Sequence, residues 1–329
     1  MKRLMAIILM IFTLCSCGKL ERRWEMSEEE KAQAYREIED WMTDFLANLD
    51  NTEEFSALLD VDGDLSSVET IVRILRYYDA KPVVEDAHWE VTDVMTPLLT
   101  TLWDQYEPFN GLCPPAGGES DGKSPAGCFT MAVAQLIAYH AYPPAFTDYP
   151  LVKTIKTLED RQATGTPQAQ DAAARFVDTL SSYDLMNVGY VSIGEELHSY
   201  CFPPSAVRTL KALGYENVEW EMGIDTAKVV GSLKKGCPVL FSSAEGVVNG
   251  HAWVVDGYAR RELIDKDGNV VDVQYLLHCN WGWNGKNNGY FESDFFDTRA
   301  AVIADDLHPE SRDYIFWLGT NTIICNPPD

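Results

Sequence analysis

The clearest hydrophobic pattern in the chain is a continuous apolar run between a glycine and two prolines. The stretch GCFTMAVAQLIAYHAYPP covers residues 127–144. Apolar residues on every side of a helical run are typical of a buried helix. Gly127 precedes the run, and Pro143 and Pro144 follow it. We therefore predict a buried helix that begins at Cys128.

The remainder of residues 98–329 contains both helix-like and strand-like runs. Three runs have helical spacing, at 170–186, 204–215 and 226–236. Four runs rich in β-branched and aromatic residues are predicted strands, at 238–243, 251–260, 270–281 and 313–319. The sequence DKDGN at 265–269 is a hairpin turn signal. A helical first half followed by an antiparallel second half predicts an α+β domain over residues 98–329.

Residues 17–97 are predicted to form a separate, mostly helical segment. Ser27 and Glu30 have the spacing of a capping box, and the apolar residues of 31–49 share one helical face. A second amphipathic stretch covers 66–80. The acidic residues at 60–64 resemble a calcium loop only loosely, since their glycine comes too early, and we interpret them as a turn.

The charge balance excludes some classes of function. The chain has 329 residues, with 51 Asp and Glu against 26 Lys and Arg and a formal net charge of −25. Nucleic acid phosphates and anionic lipid headgroups repel such a chain. We therefore expect no nucleic acid partner. No group of metal ligands converges in the sequence, so neither a metal nor a cofactor is expected.

The first residues have the pattern of an export signal. Lys2 and Arg3 precede an apolar run at 4–14, which is too short to span a bilayer as a resident helix. The run ends in LCSC at 14–17, which resembles a bacterial lipobox with Cys17 as the lipidated residue. We expect a signal peptide at 1–16 and a lipid anchor at Cys17. Gly18 favours sorting to the outer membrane but does not indicate which face of that membrane the protein occupies. The alternative to a lipid anchor is an ordinary signal peptide that is cleaved nearby.

Six cysteines follow Cys17, with irregular spacing and no CxxC pair. We expect few or no disulfides among them, and no zinc site. Cys128 differs from the others because it lies at a predicted helix N-terminus. Unpaired N–H groups and the helix dipole lower a thiol pKa there and favour the nucleophilic thiolate. The alternative is that Cys128 is simply a small buried apolar residue.

A cysteine nucleophile needs a general base, and the histidines are not equivalent. His140 follows Cys128 by 12 positions on the same helix, about 18 Å away, and is more suited to packing. His88 belongs to the N-terminal segment, and His198 and His308 have polar, loop-like neighbours. His251 follows Gly250 and opens an apolar strand, so its side chain can point into a cleft.

Two further pieces complete a candidate site. In NWGWNG at 280–285, the Asn280 amide can hold an imidazole while Trp281 shields that bond from water. Upstream, Gln105 precedes the cysteine helix. Its side-chain amide can donate to an oxyanion together with the Cys128 backbone N–H.

These four motifs, in this order, resemble the streptopain family of papain-fold cysteine peptidases. The resembling segments are W-x-Q-x-x-PFN at 103–110, the cysteine helix at 127–143, GHAWVVDG at 250–257 and NWGWNG at 280–285. Each motif is weak by itself, and the four together are specific. The match covers roughly residues 98–318.

The resemblance implies a papain-like fold, with the Cys helix in a helical half and His and Asn in an antiparallel β half. It implies Cys128 as nucleophile, His251 as base, Gln105 at the oxyanion hole, and Asn280 and Trp281 around the histidine. Trp283 and Gly250 are expected at the substrate cleft. It also implies protein or peptide substrates, and an inhibitory pro-segment at the place of residues 17–97.

Two alternatives remain open beside a lipid-anchored cysteine endopeptidase made as a zymogen. One is a catalytically silent papain-fold lipoprotein that acts as a binding or inhibitor protein. The other is a Cys-His acyltransferase or amidase on the same fold. The presence of Cys128, His251, Asn280 and Gln105 together argues against the first.

Overall fold

The structure, a computed structural model, describes residues 86–117, 120–156, 165–193, 196–244, 250–293, 296–298, 301–305, 314–316 and 318–328. The chain divides into two units, one of residues 1–87 and 265–268 and the other of residues 88–264 and 269–329. The predicted signal peptide, Cys17, the 60–64 turn and the amphipathic helices of the N-terminal segment lie outside the described residues, as does His308.

The described residues form an α+β papain-like fold, as predicted. The helices are α1 (Cys128–His140), α2 (Tyr149–Val152), α3 (Pro167–Ser181), α4 (Pro203–Ala212) and α5 (Thr226–Lys234). The strands are β1 (His88–Met95), β2 (Pro115–Gly117), β3 (Ser120–Lys123), β4 (Gly189–Ile193), β5 (Glu196–Tyr200), β6 (Glu216–Met222), β7 (Val239–Ala244), β8 (Gly250–Ile264), β9 (Val270–Asn280), β10 (Gly289–Glu292), β11 (Phe296–Asp297), β12 (Ile303–Ala304), β13 (Ile315–Phe316) and β14 (Leu318–Asn326). None of the described helices combines the length and the hydrophobicity that crossing a membrane requires.

An antiparallel sheet of eight strands organises the second unit. Its order is β12-β10-β9-β8-β7-β14-β6, and β1 pairs with the second half of β8. The long strands β8 and β9 pair from Val254 opposite Asn280 to Ile264 opposite Val270. The predicted turn joins them, with the Gly268 N–H donating to the Asp265 carbonyl. This hairpin brings the strand that carries His251 beside the strand that ends at Asn280.

Helix α1 lies in the core, as its pattern predicts. Its residues from Phe129 to Ala138 are buried, and it packs against β7 and β8. One apolar cluster includes α1 and its neighbours α2, α3 and α4. A second cluster contains Trp253, Trp281 and Trp283 together with residues of α5 and β7. Burial on all sides explains why the α1 sequence lacks a polar face.

Residues 88–95 differ from the sequence-based expectation. They lie within the range assigned to the mostly helical N-terminal segment, but they form strand β1. Every residue of β1 except Met95 is exposed, so no burial pattern marks the strand in the sequence. Pairing with β8, with Trp89 opposite Leu263 and Met95 opposite Tyr258, makes it a strand.

A buried ionic network links the segment after β1 to the sheet. The His278 ring contacts Asp256 Oδ1 through Nδ1 at 2.6 Å and Asp305 Oδ2 through Nε2 at 3.1 Å. The other oxygen of Asp256 accepts from the Leu99 N–H at 2.9 Å. Burial alone would lower the pKa of His278, but the hydrogen bonds to Asp256 and Asp305 outweigh it and raise the pKa to about 9. At neutral pH His278 is therefore a cation between two carboxylates.

This network predicts a specific dependence of stability on pH. The His278 pKa is higher in the folded state, about 9, than its ordinary value of 6.5. Its contribution is therefore complete below pH 6.5 and lost as the pH rises through 9. We expect the free energy of unfolding to fall by about 3 kcal/mol more in the wild type than in His278→Gln over that range. Urea denaturation of both proteins at several pH values measures it, and parallel curves would show that His278 is not charged in the folded state.

Candidate active site

The backbone before α1 places Cys128 at the first helical position. Gly127 precedes the helix with φ +98°, a left-handed conformation that favours glycine. A Cβ at this position would lie 3.3 Å from Ser199 Oγ on β5. The conformation therefore favours glycine before the cysteine, and the space for a side chain there is tight. Helix α1 begins at Cys128, as predicted.

Cys128 is partly exposed as a residue, but its thiol is surrounded by protein. Burial raises the pKa of the thiol above its ordinary value near 9, and backbone N–H groups of Ala252, Phe129 and Cys128 oppose that effect. The expected donors at the helix terminus are thus present, but the expected lowering of the pKa is wrong in direction. Desolvation outweighs the helix N-terminus, so a thiolate needs a base to take the proton.

His251 is the second residue of β8, and it precedes a residue that contacts the nucleophile. Ala252, the next residue, directs its backbone N–H at the Cys128 sulfur. The His251 side chain is 8% exposed, and its Nε2 lies 2.8 Å from the Trp281 carbonyl oxygen. A carbonyl oxygen only accepts hydrogen bonds, so Nε2 carries the hydrogen. In the neutral ring, Nδ1 is then the basic nitrogen.

Aromatic rings surround His251. Trp283 lies closest, with ring centroids 4.6 Å apart, and Phe316 follows at 5.5 Å. Trp253 and Trp281 both lie at 6.3 Å. Trp281 is fully buried, which is compatible with its expected role as a cover. These rings exclude water from the imidazole and restrict its orientation.

The two residues expected at the substrate cleft have different environments. Gly250 is exposed at the start of β8, with its Cβ position almost free of neighbours. Trp283 is only 3% exposed, because its ring packs against those of His251 and Trp281. In the described structure Trp283 therefore supports the histidine rather than lining an open cleft.

The structure does not bring the Asn280 amide to His251 as the sequence analysis expected. Asn280 Nδ2 donates to the Thr101 carbonyl at 2.9 Å, and its Oδ1 accepts from Gln135 Nε2 at 3.3 Å and from the Gly282 N–H at 3.2 Å. A hydrogen bond to His251 comes instead from the next residue, since the Trp281 carbonyl accepts from Nε2. Asn280 thus hydrogen-bonds to residues other than His251, and the residue that follows it supplies the carbonyl at the imidazole.

The loop after Asn280 holds the Trp281 carbonyl in place. The Trp281 N–H donates to Asn288 Oδ1 at 3.1 Å, and its indole N–H donates to the Asn287 carbonyl at 2.9 Å. Gly282, Gly285, Asn284 and Asn287 all have positive φ. Glycine and asparagine tolerate that conformation better than other residues. The glycines and asparagines of residues 282–287 thus form a tight loop that aims the Trp281 carbonyl at His251.

Gln105 lies beside the start of α1. Its backbone carbonyl accepts from the Ala126 N–H at 2.8 Å, two residues before Cys128. The Trp103 carbonyl, two residues upstream, accepts from the Asn284 N–H at 3.1 Å. No described residue hydrogen-bonds to the Gln105 side chain, which is partly exposed. Residues 103–105 are thus hydrogen-bonded both to the segment before α1 and to the loop after Asn280. The Gln105 side-chain amide is available to a ligand.

Comparison with known proteins agrees with this geometry. A family model described as the Peptidase C10 family matches residues 103–181 and 198–291, which include Gln105, Cys128, His251, Asn280 and Trp281. The chain belongs to the Peptidase C10 family. It is therefore a cysteine peptidase, a hydrolase. Streptopain from Streptococcus pyogenes is 23% identical over an alignment of 288 residues that covers 72% of this chain and 67% of that protein.

Two other proteins extend the comparison. The thiol protease/hemagglutinin PrtT of Porphyromonas gingivalis is 27% identical over 217 residues, covering 58% of this chain and 22% of that protein. A solved prointerpain A fragment from Prevotella intermedia has a TM-score of 0.51 at 20% identity, covering 78% of this chain and 80% of the fragment. The second match supports the fold of the peptidase.

Sequence reasoning missed one element at the site of the peptidase, the hairpin of β4 and β5. It lies in the region where no similarity was recognised, and most of it falls between the two matched ranges. Ser199 approaches Gly127, and Tyr190 hydrogen-bonds to Cys113. Cys201, just after β5, is close enough to Cys128 for the two thiols to interact electrostatically. The short strands β4 and β5 have no regular alternation of apolar and polar residues that would predict a hairpin.

Proposed function

We propose that this peptidase is an exported, lipid-anchored endopeptidase that cleaves proteins or peptides through Cys128 and His251. The observation that carries the proposal is the hydrogen bond from His251 Nε2 to the Trp281 carbonyl, beside a helix N-terminus that bears a thiol. That bond leaves Nδ1 as the basic nitrogen of a neutral imidazole. The raised pKa of the Cys128 thiol makes such a base necessary.

The proposed reaction is acyl transfer in two steps. His251 takes the Cys128 proton, and the sulfur attacks the carbonyl carbon of the scissile peptide bond. The oxyanion receives hydrogen bonds from the Cys128 N–H and the Gln105 amide. His251 then gives the proton to the leaving amine, and a thioester remains on Cys128. Water, deprotonated by His251, hydrolyses the thioester and restores the thiol.

The proposal includes synthesis as a zymogen. Residues 17–97 precede the peptidase domain in the position of a pro-segment, and the prointerpain A fragment is a solved structure with a similar fold. The lipid anchor rests on the LCSC sequence at 14–17. We also propose that the lipid-anchored protein lies at the outer membrane, on either its periplasmic or its outer face. A mass spectrum of the N-terminal peptide from bacterial membranes tests it, since Cys17 should carry a lipid.

A soluble form that begins at Lys19 tests activation. We expect loss of about 80 residues, judged by intact mass, to coincide with the onset of casein cleavage, and neither to occur in Cys128→Ala. Cleavage without the mass change would mean that the N-terminal segment is not inhibitory. If neither occurs, trypsin pretreatment decides whether another protease activates the zymogen. Incorporation of an added amine in preference to hydrolysis would indicate an acyltransferase instead.

A further inference from the structure

A closed ring of hydrogen bonds lies behind the active site. Thr101 Oγ1 donates to Gln135 Oε1 at 2.8 Å, and Gln135 Nε2 donates to Asn280 Oδ1 at 3.3 Å. Asn280 Nδ2 returns to Thr101 by donating to its carbonyl at 2.9 Å. The three residues are 6%, 1% and 2% exposed in that order. Little water competes for these bonds, and a missing partner would leave a buried polar atom unsatisfied.

Each member of the ring belongs to a chain segment that carries a proposed catalytic group. Thr101 precedes Gln105 by four residues, and Asn280 immediately precedes the Trp281 carbonyl that orients His251. Gln135 follows Cys128 by seven residues on α1, about 10 Å along the helix. Gln135 is thus the point at which the helix of the nucleophile is attached to the other two segments.

Few side chains can make both hydrogen bonds that position 135 requires. The side chain must accept from the Thr101 hydroxyl with one atom and donate to Asn280 with another, which an amide does. An ionised glutamate cannot donate, and methionine, with a similar shape, does neither. The partner of Gln135, Asn280 Oδ1, accepts hydrogen bonds both from Gln135 Nε2 and from the Gly282 N–H. Gln135 therefore connects helix α1, through Asn280, to the loop that begins at Trp281.

We infer that Gln135, together with Thr101, is a positioning residue of the peptidase. It sets the Trp281 carbonyl, and through it the His251 ring, relative to Cys128. This inference rests on the proposed function, since it assigns Gln135 a role in orienting the general base. A small displacement of a catalytic group costs up to about 100-fold in rate. The effect should fall on kcat, because Gln135 is buried away from substrate.

The test compares Gln135→Met, Thr101→Val, Thr101→Ser and the double variant Gln135→Met/Thr101→Val with activated wild type. A fluorogenic peptide gives kcat and KM, and exhaustive iodoacetamide labelling at high pH, mapped to the Cys128 peptide by mass spectrometry, gives the number of active thiols. We expect Gln135→Met and Thr101→Val to lower kcat per active thiol by about 10- to 100-fold with KM unchanged. Thr101→Ser keeps the hydroxyl and should retain the wild-type kcat. The double variant should lose little more than either single one, because both break the same ring.

A positioning role also predicts a changed pH profile. If His251 is misaligned, alkylation of Cys128 should require a higher pH in Gln135→Met than in wild type. Gln168→Met is the matched control, because Gln168 is exposed on α3. It should change neither kcat nor the profile.

Unchanged kcat and an unchanged alkylation profile in Gln135→Met would overturn the inference, as would a loss that merely follows the fraction of folded protein. If Gln135→Met does not fold, the Thr101→Val and Thr101→Ser pair decides, and equal kcat in the two overturns it. A wild type that cleaves nothing after activation would refute the proposed function itself. An active wild type with an indifferent Gln135→Met would refute only the inference.

Discussion

Replacing Cys128 with alanine is expected to lower casein hydrolysis by roughly 10⁴- to 10⁶-fold, which is below detection in most assays. The sulfur forms the bond to substrate, and Cys128 is the thiol at the start of α1 that the backbone N–H groups address. Alanine has the highest helix propensity of all residues and fits the first turn of the helix. The variant should therefore fold and melt like the wild type, as circular dichroism would show.

Cys237→Ala is the matched control for that variant. Cys237 is a buried free thiol with Tyr139, near the far end of α1, among its neighbours. Tyr139 follows Cys128 by eleven residues, which places it about 16 Å along the helix. We expect full activity in Cys237→Ala. Substantial casein cleavage by purified Cys128→Ala would refute the proposed mechanism.

The second large effect is expected for His251→Gln, and its clearest readout is alkylation of Cys128 by iodoacetamide. Without the imidazole, the thiol keeps a pKa raised by burial above its ordinary value near 9. Less than about 1% would then be thiolate at pH 7. We expect alkylation at pH 7 to slow by on the order of 100-fold, and to recover only as the pH rises well above 9.

The wild type supplies the comparison, because transfer of the proton to His251 Nδ1 provides the thiolate at neutral pH. Its alkylation rate should reach a plateau at a lower pH than that of His251→Gln. Gln fits the space of an imidazole poorly, so His251→Asn serves as a second variant. Identical pH profiles for wild type and both variants would show that His251 is not the base.

The parts of the fold that sequence predicts are those in which one pattern dominates. Helix α1 is apolar on all sides and bounded by Gly127 and Pro143, so its burial and its start at Cys128 follow from the sequence. The hairpin of β8 and β9 follows from its turn sequence at 265–269. Strand β1 was missed because its residues are almost all exposed. Its pairing with β8 is a tertiary contact that no local pattern records.

The site shows the same division. Side chains with distinctive chemistry, Cys128, His251 and Gln105, could be chosen from residue type and neighbours. The orienting group could not, because a backbone carbonyl has no signature in the sequence, and Asn280 was assigned the role that Trp281 performs through its main chain. The direction of the Cys128 pKa also depended on burial, which outweighs the helix terminus. Gln135 lies within the motif at 127–143, but its role depends on Thr101 and Asn280, partners that no local pattern records.

The proposed mechanism requires a covalent intermediate at Cys128. An activated sample, mixed with an activated ester substrate and quenched in acid while turnover continues, would be digested and mapped by mass spectrometry. We predict the mass of the acyl group on the peptide that contains Cys128, and its disappearance once the substrate is consumed. Turnover with no acyl group on that peptide, or with the acyl group on another residue, would contradict the account.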